Sequence, residues 1–261
     1  MVTALPATPL PGQRRLEHVM GMPIIVDIRD GGRWDAELDR VFAWFGQVDA
    51  TFSTFKDDSE ISRLNDDDLA IHDVSDDVRL VLQRCEELRA ETDGLFDVRT
   101  ANREVVDPSG LVKGWSVDRA AGLLRELGAA NFAVNAGGDV LLCGGALPEE
   151  RWRVGIQHPV ERGAVAAIVE GRDLAVATSG AYERGDHVLD PRTGSAPSGV
   201  LSVTVTGPEL GTADAYATAA FARGADATTW IATLPERGYE ALVMGAAGTS
   251  TATPGFPFAT T

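Results

Sequence analysis

Asp214 and Thr218 stand four residues apart in GTADAYATAAFARG, residues 211–224. On a helix, side chains at that spacing project from one face. A carboxylate beside a hydroxyl is a pair of hard oxygen donors. It suits Mg²⁺, which takes one or two protein carboxylates and keeps positions for water or phosphate. No His or Cys lies within the stretch, so its donors are not those of zinc. The plainer reading is a helix start, with Thr212 as N-cap and Asp214 in the first turn against the helix dipole. On this segment alone the plainer reading is favoured.

Other stretches also carry chemistry-bearing residues. In DPSGLVKGWSVDRAAG (107–122), Asp107 precedes a turn, Gly110 gives a carbonyl room to turn, and Lys113 stands just ahead of a helix expected from Trp115 to Leu127. A lysine at a helix entrance can meet an anion together with free N–H groups. The spacing is not that of a Walker A loop, and a solvated lysine beside a glycine turn is the plain alternative. TSGAYERGDHVLDPRTG (178–194) offers the Ser179 hydroxyl, Gly180 donors at a strand end, Tyr182, and His187, which can exchange a proton near neutral pH. Asp190-Pro191 to Gly194 reads as a rigid turn. NAGGD (135–139) is a close-approach loop or a hairpin. TDGLFDV (92–98) places Leu95, Phe96 and Asp97 after a helix end, and core is the commoner fate of such a Phe. His18, His72 and His158 lack such company.

These residues must be held by a mixed framework. MPIIVDIRD alternates, with Ile24, Val26 and Ile28 on one face of a half-buried strand. Trp34, Leu38, Val41, Phe42, Phe45 and Val48 recur at helical spacing. Ser75 is a candidate N-cap for a helix burying Val78, Val81, Leu82, Cys85 and Leu88. Short strands follow at NFAVN, DVLLCG, WRVGIQ, AVATS, HVLD and LSVTVTG. Two helices, near 212–223 and 226–235, precede a last strand, YEALVMG. Strands in runs favour α+β with largely antiparallel sheets and packed helices. The expected organisation is a loose segment at 1–17, one domain at 18–250 and an irregular tail at 251–261.

Asp and Glu outnumber Lys and Arg by 39 to 23, a formal net charge of −16. Such a surface repels nucleic acid and anionic membranes. An acidic protein that binds phosphates must build a local positive site or use a metal. Two cysteines make no disulfide framework, and both Cys85 and Cys143 read as buried thiols. The N-terminal residues resemble neither a secretory signal nor a membrane anchor, so a cytoplasmic location is expected.

Each motif is weak alone, but their order is specific. MGMP (20–23), FSTFKDDSEISRLN (52–65), TDGLFDV, DPSGLVKGWSVDRAAGLL, NAGGDVLLCGG, VGIQHP (154–159), ATSGAYER, HVLDPRTG and TADAYATAAFARG follow one another. This series, from about residue 18 to 245, resembles the ApbE family of FAD:protein FMN transferases. The resemblance implies an α+β fold with a flavin cleft. It also implies a reaction that splits FAD, attaches FMN to a Thr or Ser of an acceptor flavoprotein, and releases AMP. Asp214 and Thr218 side chains and the Gly110 carbonyl would then bind Mg²⁺. Oxygen donors accept Mn²⁺ as well. Met20, Phe55, Leu95, Phe96, Asp97, Asp107 and Lys113 match positions that contact FAD, joined by Ser179, Gly180 and Tyr182. His187 matches the histidine beside flavin and phosphates, a candidate base. The same sites would serve a Mg²⁺-dependent FAD pyrophosphatase, with water in place of the acceptor; a non-catalytic FAD-binding protein would not need this constellation. The chain departs from the family at Phe55, where Tyr is usual, and in VRTANREVV (98–106), which is shorter than in many members.

Overall fold

A computed structural model describes residues 11–99, 105–180, 190–191 and 194–260. Eight strands form its central sheet: β1 Gln13–Val19, β2 Met22–Ile28, β3 Phe132–Ala136, β4 Asp139–Cys143, β7 Leu174–Gly180, β8 Val200–Gly207, β9 Glu240–Gly245 and β10 Ser250–Ala252. Their order is β1-β2-β3-β4-β7-β8-β9-β10, with every neighbouring pair antiparallel. A separate hairpin pairs β5 Trp152–Gln157 with β6 Val165–Gly171. The helices are α1 Asp35–Phe52, α2 Glu60–Asn65, α3 Asp76–Glu91, α4 Ser109–Glu126, α5 Leu210–Ala222 and the short α6 Ala227–Ile231. The fold is α+β, as the runs of strands imply.

Alternation sorts the sheet's two faces. Ile24, Val26 and Ile28 of β2 are fully buried in the main core beneath the helices. β4, DVLLC, is buried at all five positions because it is covered on both sides. Leu141 and Cys143 join the helix-side core, while Val140 and Leu142 pack with Trp152 of the hairpin. Ser75 caps α3, its side chain accepting from the Val78 N–H, and Val78, Val81, Cys85 and Leu88 are buried as the spacing predicts. Leu82 is half-buried, at the margin of that face.

Two expectations are corrected and a third is refined. Residues 13–17 are not loose but belong to β1, an edge strand whose apolar residues are only Leu16, which is exposed, and Val19, so that it shows no periodicity. The tail beyond β10 is irregular, as expected, but anchored. Ala241 N–H donates to Thr253 Oγ1, Phe256 is buried, and Glu170 and Ala259 N–H groups bond across to Pro257 and Ile168 carbonyls. The tail thereby stitches the hairpin to the main sheet. Finally, α4 begins at Ser109, six residues before the expected Trp115. The Asp107 carboxylate accepts from the Ser109 N–H at 3.0 Å and starts the helix there. HVLD lies outside the described residues apart from Asp190. Among the described residues no helix is long and apolar enough to cross a membrane.

α5 carries the most consequential packing. Its sequence is rich in alanine, and every residue except Thr218 is buried. α5 crosses α4 at a glycine contact: a Cβ on Gly114 would lie 2.6 Å from the Gly211 Cα and N. Only glycine allows the two backbones to come so close.

Candidate functional site

A cleft of about 1330 Å³ opens beside this crossing. Pockets for drug-sized ligands run to roughly 300–1,000 Å³, so this cleft has room for a longer ligand. All the anticipated site residues that are described line it: Met20, Phe55, Leu95, Phe96, Asp97, Asp107, Gly110, Lys113, Ser179, Gly180, Asp214 and Thr218. Tyr182 and His187 lie outside the described residues. Further along the chain, Asp190 bridges Ser195 and Gly194 N–H donates to the Asp190 carbonyl at 2.7 Å.

Each lining group has a local cause. Val19 pairs with Met22, leaving Met20-Gly21 as a two-residue hairpin turn with φ of 57° and 70°. Both central residues of such a turn need positive φ, and a methionine there is strained. Phe55 sits on a loop stapled by the Ser59 hydroxyl donating to the Ser53 carbonyl and by a 2.6 Å Lys56–Asp49 ion pair. Its ring is 96% exposed, so it contributes almost nothing to the core. Leu95 and Phe96 are buried yet reach the cleft. Gly110 is the second residue of α4, and a Cβ there would meet the Phe96 ring at 3.2 Å. The missing side chain at 110 therefore makes room for Phe96. Asp97 and Asp107 each accept one backbone N–H, from Arg99 and Ser109.

The cleft floor is charged. Lys113 is inside the helix, not at its entrance, and its Nζ lies 2.5 Å from Asp139 Oδ2 and 3.2 Å from Asp214 Oδ2. Both carboxylates are buried. Burial works against the lysine's charge, but Asp214 and Asp139 outweigh it and hold the ammonium above the usual lysine range. Buried charges persist only when paired, and such clusters in clefts mark functional sites. Ser179 Oγ lies 3.2 Å from Thr218 Oγ1, so the strand end and helix face meet.

The N-cap role anticipated for Thr212 is not found, because α5 starts at Leu210. Asp118 of α4 instead accepts the Leu210 and Gly211 N–H groups, each at 2.9 Å. Burial pushes its carboxyl up to about 6, against the lowering effect of those donors. With the cap supplied from another helix, Asp214 lines the cleft, paired with Lys113. Sequence reasoning missed both Asp118 and Asp139. NAGGD was noticed for its glycines, whose hairpin is present between β3 and β4, but not for the aspartate.

The donors gathered here are carboxylate and hydroxyl oxygens. Among the described residues no group of three or more His, Cys, Asp or Glu is arranged to hold a metal. An ammonium already rests against Asp214 Oδ2, so positive charge is favoured there. A hard cation fits these oxygens if its remaining positions are filled by water or phosphate. Cys85 and Cys143 take no part: both are buried and their thiols are pushed up to about 12.

Known proteins share this sequence and architecture. Residues 20–104 and 99–243 match the family model described as the ApbE family. The FAD:protein FMN transferase of Vibrio cholerae serotype O1 is 28% identical over 254 residues, covering 76% of this chain and 75% of that protein. That of Haemophilus influenzae is 27% identical over 274 residues, covering 79% of each. Among solved structures, the ApbE protein from Thermotoga maritima superposes with a TM-score of 0.82 at 22% identity, covering 93% of this chain and 97% of that one. The flavin transferase ApbE from Vibrio cholerae gives 0.81 at 24%, covering 95% and 100%. At these identities the structural likeness speaks for the fold.

Proposed function

This chain belongs to the ApbE family, and on that premise we propose that it cleaves FAD and transfers FMN to a Thr or Ser hydroxyl of an acceptor flavoprotein, releasing AMP. The observation that carries the reading is the convergence described above. Residues scattered from Met20 to Thr218 line one cleft of about 1330 Å³, with a half-buried lysine between two buried carboxylates at its floor. A protein of net charge −16 needs such a local positive group to hold a diphosphate.

Asp214, Thr218 and the Gly110 carbonyl would hold Mg²⁺, with Mn²⁺ acceptable to the same oxygens. When bound, the cation would polarise the diphosphate and offset charge on the departing AMP. Lys113 supplies a fixed positive charge to the phosphates. Phe55, Phe96, Leu95 and Met20 offer the apolar and aromatic surface that a flavin ring requires, and Asp97, Asp107, Ser179 and Gly180 offer polar contacts along it. Tyr182 and His187 belong to the segment that follows β7. His187 accepts the proton of the acceptor hydroxyl as its oxygen bonds to the FMN phosphorus and the bond to the AMP phosphate breaks. Such general-base help contributes ~10²–10⁴ in rate.

FAD binding, followed by flavin fluorescence with and without Mg²⁺, tests the diphosphate site. The parent protein should bind FAD more tightly with the cation, and Asp214→Asn should lose that dependence. A cation-independent parent, or an Asp214→Asn variant that responds as the parent does, would place the diphosphate elsewhere.

A further inference from the structure

Asp139 is not among the residues lining the cleft, yet it makes the shortest contact to the charged group on its floor. It follows the Gly137-Gly138 turn, where Ala136 pairs with Asp139. One of its oxygens, Oδ1, accepts the Thr178 N–H at 2.9 Å, where the β4–β7 ladder ends. That bond fixes the carboxylate to two strands at once. The other oxygen, Oδ2, takes the Lys113 ammonium at 2.5 Å, against 3.2 Å from that ammonium to Asp214.

We propose that Asp139 is the positioning residue of this site: it holds Lys113 close beside Asp214, so that a divalent cation can take the Asp214 oxygen while the lysine stays at the diphosphate. The proposal rests on the reading of Asp214 as the cation's carboxylate. Among the described residues, two carboxylates face one ammonium on the floor, a pairing that attracts a further cation. Addition of a divalent cation at Asp214 brings more positive charge beside Lys113 and so favours the diphosphate. Lys113 gives up only its longer contact in that step. Without the Asp139 charge, its one remaining carboxylate among the described residues is Asp214, and it becomes a competitor for the cation's place.

The test is a Mn²⁺ titration by electron paramagnetic resonance, without FAD, on the parent, Asp139→Asn, Lys113→Met and the double variant. Asn keeps the size of Asp and an oxygen for the Thr178 N–H, and thermal melts of all four establish that each is folded. Asp139→Asn should weaken Mn²⁺ binding at least ~10-fold, the smallest effect expected of a unit charge within 4–6 Å. Losing a nearby negative charge would by itself weaken binding, so the deciding quantity is the coupling. Lys113→Met should improve Mn²⁺ binding far more in the Asp139→Asn background than in the parent, because only there does the lysine sit squarely on Asp214. Equal improvement in both backgrounds, or parent-like binding by Asp139→Asn, would overturn the positioning role while leaving the cation site intact. A parent protein that takes up no Mn²⁺ would overturn the cation site itself, and this inference with it.

Discussion

Replacing Gly114 by alanine should disturb the fold and the cleft together. The added Cβ would stand 2.6 Å from the Gly211 Cα and N and 2.7 Å from the Leu210 carbonyl carbon. Ordinary contact begins near 3.4 Å, so α4 and α5 must part by about 0.8 Å. The opposing atoms are all backbone, and no side-chain rotation relieves them. Overpacking of this kind costs ~1–3 kcal/mol, and rigid neighbours put it at the upper end. Alanine returns ~1 kcal/mol through helix propensity. The net loss of about 2 kcal/mol lowers Tm by roughly 4–8 °C for a chain of this size. The same separation pulls Lys113 away from Asp214, now 3.2 Å apart, so cation-dependent FAD binding should weaken. Gly122 is the internal control. It lies in α4, and a Cβ added there would meet nothing within 4 Å. Gly122→Ala should therefore raise Tm by roughly 2–4 °C, the yield of ~1 kcal/mol of propensity, and leave FAD binding alone. Thermal melts by circular dichroism and a flavin fluorescence titration measure both effects. A Gly114→Ala protein as stable as the parent, with parent-like FAD affinity, would refute the close-crossing argument.

Asp118→Ala strips the acceptor from the Leu210 and Gly211 N–H groups and should cost ~1–3 kcal/mol in urea melts. Asp118 also carries a pH signature. Its carboxyl is raised to about 6 in the folded protein from the ordinary 3.8, so between those values the folded state binds the extra proton. Stability from this group is therefore highest below about pH 4 and falls as pH rises to about 6, by on the order of 1–3 kcal/mol. The parent-minus-Asp118→Asn difference should fall through that window and be flat above it; a difference that rises would show the shift to have the opposite sign. Phe55→Ala should leave Tm unchanged, since the ring is 96% exposed and such surface changes stay within ~0.5 kcal/mol, but it should weaken FAD binding in the same fluorescence titration. His187→Ala should keep FAD binding and lose transfer, read as acceptor labelling, and transfer at the parental rate would remove the base assignment.

The features legible in the chain were those written in local pattern. β2 announced itself by alternation, α3 by the Ser75 cap, and the hairpin at Gly137-Gly138 by its glycines. Convergence on one cleft was legible only through the order of the motifs, since no single motif carried it. What stayed hidden was non-local or poorly patterned. β1 has charged residues on an edge and gains its place from the Met20-Gly21 turn. The tail is held by bonds to β9 and to β6, the latter far away in sequence. The early start of α4 was masked because Asp107-Pro108-Ser109-Gly110 has the composition of a turn, while Asp107 uses its side chain to begin a helix. Asp118 caps a helix 92 residues downstream, and Asp139 meets Lys113 across two elements. No periodicity encodes such pairs.

The central claim is that this cleft transfers FMN. Incubation with FAD, Mg²⁺ and a candidate acceptor flavoprotein, followed by intact mass of the acceptor and nucleotide analysis, tests it most directly. An acceptor heavier by one FMN, with AMP in matching amount, is the result this account predicts. Free FMN and AMP beside an acceptor that the Vibrio cholerae transferase labels under the same conditions would contradict it, and would make the protein a pyrophosphatase.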